Sequence, residues 1–137
     1  MGENKKQDLR ARTKVFALRI IRLYAALPKT TEAQIIGKQL LRSGTSVGAH
    51  YREAQRAKSD SDFISKIEGG LQELEETAYW LELLMESGIM TEERLKPLYT
   101  ETEELTAIFV SMVKKIKSKG GKHRDESTKQ MMTDEQS

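Results

Sequence analysis

The 137-residue sequence has no cysteine, two prolines, one tryptophan and no long apolar run. Without cysteine there is no disulfide framework, no thiolate nucleophile and no cysteine-based zinc site, and the redox compartment is left open. No stretch approaches the roughly 20 apolar residues that a membrane-spanning helix needs. The opening residues MGENKKQDLRARTK lack the apolar segment of a secretory signal. The expectation is a soluble, cytoplasmic protein. Catalytic signatures are missing as well: there is no phosphate-cradling glycine loop, no HExxH and no nucleophile elbow. Glu68, Glu73, Glu75, Glu76, Glu82 and Glu86 have no Glu-x-x-His companions of the kind that build di-metal sites in bundles. No enzyme activity, no metal and no cofactor is expected.

What is present is helix-forming material. Charged residues make up 32% of the chain, and Leu, Ile, Ala, Glu, Lys and Arg dominate it, which favours one all-α domain with a real core. The net charge of +2 hides an uneven distribution. Residues 1–58 carry 13 Lys and Arg against 4 Asp and Glu, residues 59–110 carry 3 against 13, and residues 111–137 carry 7 against 4. Such segregation marks either a polyanion-binding surface or segments that neutralise each other inside a bundle.

Taken in order, residues 1–6 are polar and read as a flexible N-terminus. A first helix is predicted over about 7–27, with Leu9, Phe16, Ile20, Leu23 and Leu27 at three- and four-residue steps. Pro28 stops it. A second helix is predicted over about 32–58, capped by Thr31. On it Ile36, Leu40, Val47, Tyr51 and Ala54 form a narrow arc, with Gly37, Gly44 and Gly48 beside them. Each interior glycine costs a helix about 1 kcal/mol relative to alanine, so three on one stripe predict the close approach of another helix. A kink near Ser43–Ser46 is the alternative, and a continuous helix is the expectation.

A third helix, about 60–87, opens on the box formed by Ser59 and Asp62. Its expected seam is Ile64, Ile67, Leu71, Leu74, Ala78, Leu81 and Met85, with Gly88 as the stop. A fourth, about 91–118, is capped by Thr91 and carries Leu95, Leu98, Thr102, Leu105, Phe109, Met112 and Ile116. Gly120–Gly121 is expected to end the pattern, leaving 119–137 as a disordered polar tail. Residues 7–118 therefore read as an up-and-down antiparallel four-helix bundle.

The run QLLRSGTSVGAHYREAQRAKSDSDF at 39–63, with ETAYWLELLMESG after it, resembles the bacterial four-helix-bundle family named after proteins encoded in 23S rRNA intervening sequences. The similarity spans roughly Leu9–Lys117. One departure is His50, where that family usually has Asn. The resemblance implies a left-handed bundle assembled as a homopentamer, with a largely unassigned molecular function. The accessory proteins of diversity-generating retroelements are a more distant branch that binds nucleic acid through a basic surface.

Two sets of residues are candidates for function. Lys38, Arg42, Arg52 and Arg56 share one face of the second helix. Arg19, Arg22, Lys114, Lys115 and Lys117 extend this set if neighbouring helices align, giving a surface for RNA or DNA without strong sequence choice. Tyr79, Trp80, Leu83 and Leu84 lie off the third helix's seam and are candidates for subunit contacts. The alternative function is a protein–protein interaction scaffold with no nucleic acid. His50, with Glu53 and Glu32 as its nearest acids in sequence, is expected to be structural.

Overall fold

The computed structural model describes residues 9–136, with side chains over 9–119. The flexible segment expected at 1–6 lies outside the described residues. Four helices account for the fold: α1 (Leu9–Ala26), α2 (Thr31–Gln55), α3 (Asp60–Glu86) and α4 (Glu92–Gln136). The described residues contain no strand.

The helix boundaries follow from local chemistry. Pro28 lies just past the end of α1. The hydroxyl of Thr30, one residue before the expected cap, accepts from the Ala33 amide and starts α2. Ser59 accepts from the Asp62 amide at 3.0 Å, while the Asp62 carboxylate reaches back to the Lys58 amide. Gly88 takes φ +77°, a left-handed conformation that glycine enters without penalty, and so turns the chain out of α3. Thr91 Oγ1 accepts from the Arg94 amide at the head of α4. Pro97 sits in the second turn of α4 without breaking it. The backbone of α4 stays helical through Gly120–Gly121, where the sequence predicts an end. No proline follows those glycines, and the Lys, Arg, Glu, Gln and Met around them are favourable helix residues.

Neighbouring helices are antiparallel, and paired residues along each seam show it. Gly37, Gly44 and Gly48 of α2 face Tyr24, Ile20 and Thr13 of α1, in descending order. Arg42 pairs with Glu76 and His50 with Glu73 between α2 and α3. Tyr99 meets Glu82, and Lys117 meets Glu68, between α3 and α4. Arg12 of α1 closes the ring on Glu101 of α4. The backbones of α2 and α3 pack most intimately, whereas those of α1 and α4 come close at few points.

α2 is continuous, and its glycine stripe is the α1 contact. A Cβ on Gly44 would stand 2.7 Å from Ile20 Cγ1, and one on Gly48 would stand 3.1 Å from Thr13 Oγ1. The helices approach to a distance that side chains would forbid.

The core runs along the bundle axis. Phe16, Ile20, Leu40, Ile67, Leu74, Leu81, Leu95, Leu105 and Phe109 are fully buried, each contributing about 1.5–3 kcal/mol of transfer free energy. In α3 the buried seam is Ile67, Gly70, Leu74, Thr77, Leu81 and Leu84; it keeps Ile67, Leu74 and Leu81 of the expected seam, whereas Ile64, Leu71, Ala78 and Met85 are half-buried. The cause is that α3 is flanked on both sides, by α2 and α4. Its innermost line includes small residues that a search for large apolar side chains passes over. Gly70 leaves room for the Phe109 ring, and the Thr77 hydroxyl reaches Ser43 Oγ at 2.9 Å within the core. Near the C-terminal end of the α4 seam, Val113 is buried and Met112 is half-buried.

Candidate nucleic-acid interface

Lys38, Arg42 and Arg52 lie along the outer face of α2 and Arg56 caps its C-terminal end, a row of about 27 Å at 1.5 Å per residue. The small residues Thr45 and Ala49 fill the face between them. Lys38, Arg42 and Arg56 are exposed and Arg52 is half-buried. Arg42 forms an ion pair with Glu76 at 3.3 Å in which both side chains remain accessible, so the pair adds little to stability and leaves the guanidinium reachable. The other three form no ion pair among the described residues. The acidic surface of α3 thus neutralises one of the four.

The other basic residues are distributed differently from a single extended patch. Arg19 and Arg22 project from α1 toward α4, on the flank away from α2, and line a cleft with Arg94. Lys114 is exposed, and Lys117 pairs with Glu68 of α3 at 3.8 Å. Lys115 stands at the rim of a separate apolar cleft of about 580 Å³, which lies between α1 and α4 near Leu9, Phe63 and Met112. The nine cations therefore occupy three places. Arg94, inside the most acidic third of the sequence, has no motif to flag it; only helix register brings it to Arg19 and Arg22.

Arg12 is a further cation, and it serves the fold. Its Nε donates to Glu101 Oε2 at 2.7 Å, and one terminal nitrogen donates to both Glu101 and Glu104. The Glu101 hydrogen bond raises the Arg12 pKa above its already high ordinary value.

His50 sits between α2 and α3 with its ring against Gly69, where a Cβ would come within 2.9 Å. Its Nε2 is 3.7 Å from Glu73 and its Nδ1 is 3.5 Å from Glu53. Nδ1 and one Glu73 oxygen are buried without a hydrogen-bond partner among the described residues. Gly69 marks the space that this ring occupies. No three His, Asp or Glu side chains converge as a metal site among the described residues. No helix there is long and apolar enough to cross a membrane.

The residues predicted for subunit contacts separate as well. Tyr79 is 53% exposed and packs edge-on against Trp80 at 5.0 Å between centroids. Leu83 is half-buried on the same outer side. Trp80 is half-buried on the α2-facing flank, and its indole N–H is buried without a partner. Leu84 is fully buried in the core and cannot reach a second chain. Burial on the inner line of α3, next to Leu81, removes it from the set. Exposed apolar residues that the motifs did not single out include Val15, Leu18 and Ile21, which share the outward face of α1, together with Ile35 on α2 and Val110 on α4.

Comparison with known proteins places this geometry. No curated protein matches the chain. A crystal structure from Bacteroides thetaiotaomicron VPI-5482, described as a protein of unknown function from the S23 ribosomal protein family, is 39% identical. It superposes with a TM-score of 0.73 over 77% of this chain and 97% of the other. The family model for the 23S rRNA-intervening sequence protein matches residues 5–111. All of α1, α2 and α3 and the part of α4 up to residue 111 fall within that match, and the chain belongs to the 23S rRNA-intervening sequence protein family.

Proposed function

We propose that this protein is a non-enzymatic, homo-oligomeric bundle of the cytoplasm that binds RNA or DNA without strong sequence choice. The outer face of α2 is its main contact surface. The carrying observation is the row formed by Lys38, Arg42 and Arg52 on one uninterrupted helix and by Arg56 at its C-terminal cap, three of the four without a carboxylate partner among the described residues. Phosphates are gripped by cations spaced along a surface, and aromatic side chains for base stacking are absent from this row. In the left-handed homopentamer implied by the family resemblance, the row would repeat around the assembly and raise avidity for a long polyanion.

A protein–protein scaffold is the second reading. It is supported by the exposed apolar residues Val15, Leu18 and Ile21 on α1 and Tyr79 on α3, which suit contact with another protein surface.

Fluorescence anisotropy of structured RNA and duplex DNA across a salt series separates the two. Binding that weakens steeply with salt supports the first reading, and changing all four cations to glutamine is expected to lower the salt slope by up to about four. No binding at low salt rules it out in favour of the scaffold.

A further inference from the structure

Charge matching changes abruptly along the α1–α4 seam. In one section Arg12 is matched by Glu101 and Glu104. Two turns further along α1, Arg19 and Arg22 meet Arg94 across a cleft of about 210 Å³. Leu23 and Leu98 line the cleft with them, and no carboxylate among the described residues does. None of the three guanidiniums has a side-chain partner among the described residues. Like charges gathered around one cleft repel, more so beside apolar walls that lower the local dielectric. The dipole of α4, whose first turn holds Arg94, adds positive potential there, which Glu92 and Glu93 of the same turn offset in part. The Arg12 section shows that this seam accommodates glutamates, so the missing carboxylates at Arg19, Arg22 and Arg94 leave the cleft suited to an anion from outside.

We propose that Arg19, Arg22 and Arg94 form a notch for a dianionic phosphate monoester, either the terminal phosphate of a nucleic-acid strand or a small phosphate ester. A guanidinium presents paired N–H donors in a plane that fits phosphate oxygens. A terminal phosphate offers three non-bridging oxygens and two charges to three arginines, whereas an internal phosphodiester offers two oxygens and one charge. The strand-end source rests on the nucleic-acid reading above, while the phosphate chemistry of the notch is independent of it.

The first arm of the test titrates the full chain, with isotope-labelled arginine, with inorganic phosphate at mildly alkaline pH, using chloride at matched ionic strength as the control. The Nε–Hε resonances of Arg19, Arg22 and Arg94 are expected to shift saturably with phosphate alone. Arg94→Gln, an exposed position whose change is read alongside helical circular dichroism, is expected to weaken phosphate about tenfold, and Arg22→Gln similarly. No saturable shift, or equal shifts at Arg10 and Arg56 outside the cleft, overturns the notch. The second arm compares RNA strands of one sequence carrying a terminal phosphate or a terminal hydroxyl. A preference of about tenfold for the phosphorylated strand, lost in Arg94→Gln, assigns the strand end as the ligand. Equal affinity for both strands, or no RNA binding, together with saturable phosphate binding, assigns a small phosphate ester. In the last case the nucleic-acid reading fails while the notch stands.

Discussion

Arg12 of α1 holds Glu101 of α4 through two hydrogen bonds, at 2.7 and 2.8 Å, across the seam where backbone approaches are fewest. Glu101 is only 16% exposed, so removing the guanidinium leaves a mostly buried carboxylate without its cation. Arg12→Ala is expected to lower unfolding free energy by about 1.5–3 kcal/mol, the range for hydrogen bonds to charged groups. Urea denaturation measures it, and a loss under about 0.5 kcal/mol would mean the pair behaves as an ordinary surface contact.

Gly44 is a tight point of the α1–α2 contact, because three carbon atoms of Ile20 would lie within 3.0 Å of an added Cβ. Overpacking of this kind costs about 1–3 kcal/mol, and it outweighs the roughly 1 kcal/mol that alanine gains over glycine in a helix. Gly44→Ala is therefore expected to destabilise the wild-type protein. In an Ile20→Ala background the obstruction is gone and the same change should stabilise. A double-mutant cycle reads the reversal of sign; the same sign in both backgrounds would refute the packing account.

Tyr51 and Tyr99 hold their protons above the ordinary phenol value of 10.0, Tyr51 through burial and Tyr99 chiefly through its hydrogen bond to Glu82. The unfolded chain releases both protons near that ordinary value, so it binds fewer protons than the folded state above it. The stability these two groups contribute is complete below the unfolded value and is lost as pH rises through the folded values. Phenolate absorbance during an alkaline titration should show both ionising late. Tyr99→Phe should remove one late step and flatten the alkaline loss of stability. Ionisation of either group at or below the ordinary value contradicts this.

Tyr79 projects from the outer side of α3 while its ring leans on Trp80. If this patch joins subunits, Tyr79→Ser should reduce the mass seen by sedimentation and leave thermal stability nearly unchanged, since the ring is half in solvent. An unchanged mass removes Tyr79 from the subunit interface and directs attention to Val15, Leu18 and Ile21 on α1.

Much of this architecture was legible in the sequence because it is local. The three- and four-residue steps of Leu9, Phe16, Ile20, Leu23 and Leu27 place the core face of α1 directly. Ser59, Gly88 and Thr91 mark helix ends through hydrogen bonds or a backbone angle that involve only near neighbours. The glycine stripe of α2 announces a close approach, because glycine is costly in a helix unless space demands it.

Tertiary structure decided what depends on two helices at once. Gly70 and Thr77 belong to the core because Phe109 and Ser43 come to them, and a single helix carries no record of those partners. Leu84 is lost to any outside contact for the same reason: α3 is covered on both flanks. The cations that looked like one set in sequence became an α2 row, an α1–α4 notch and an α4 end. Arg94, inside the most acidic segment of the chain, joined Arg19 and Arg22. Helix faces follow from a periodicity written in one segment, whereas shared charge depends on the register and order in which separate segments pack. The helices and their apolar faces follow from patterns within single segments, and which charges meet follows from how those segments pack.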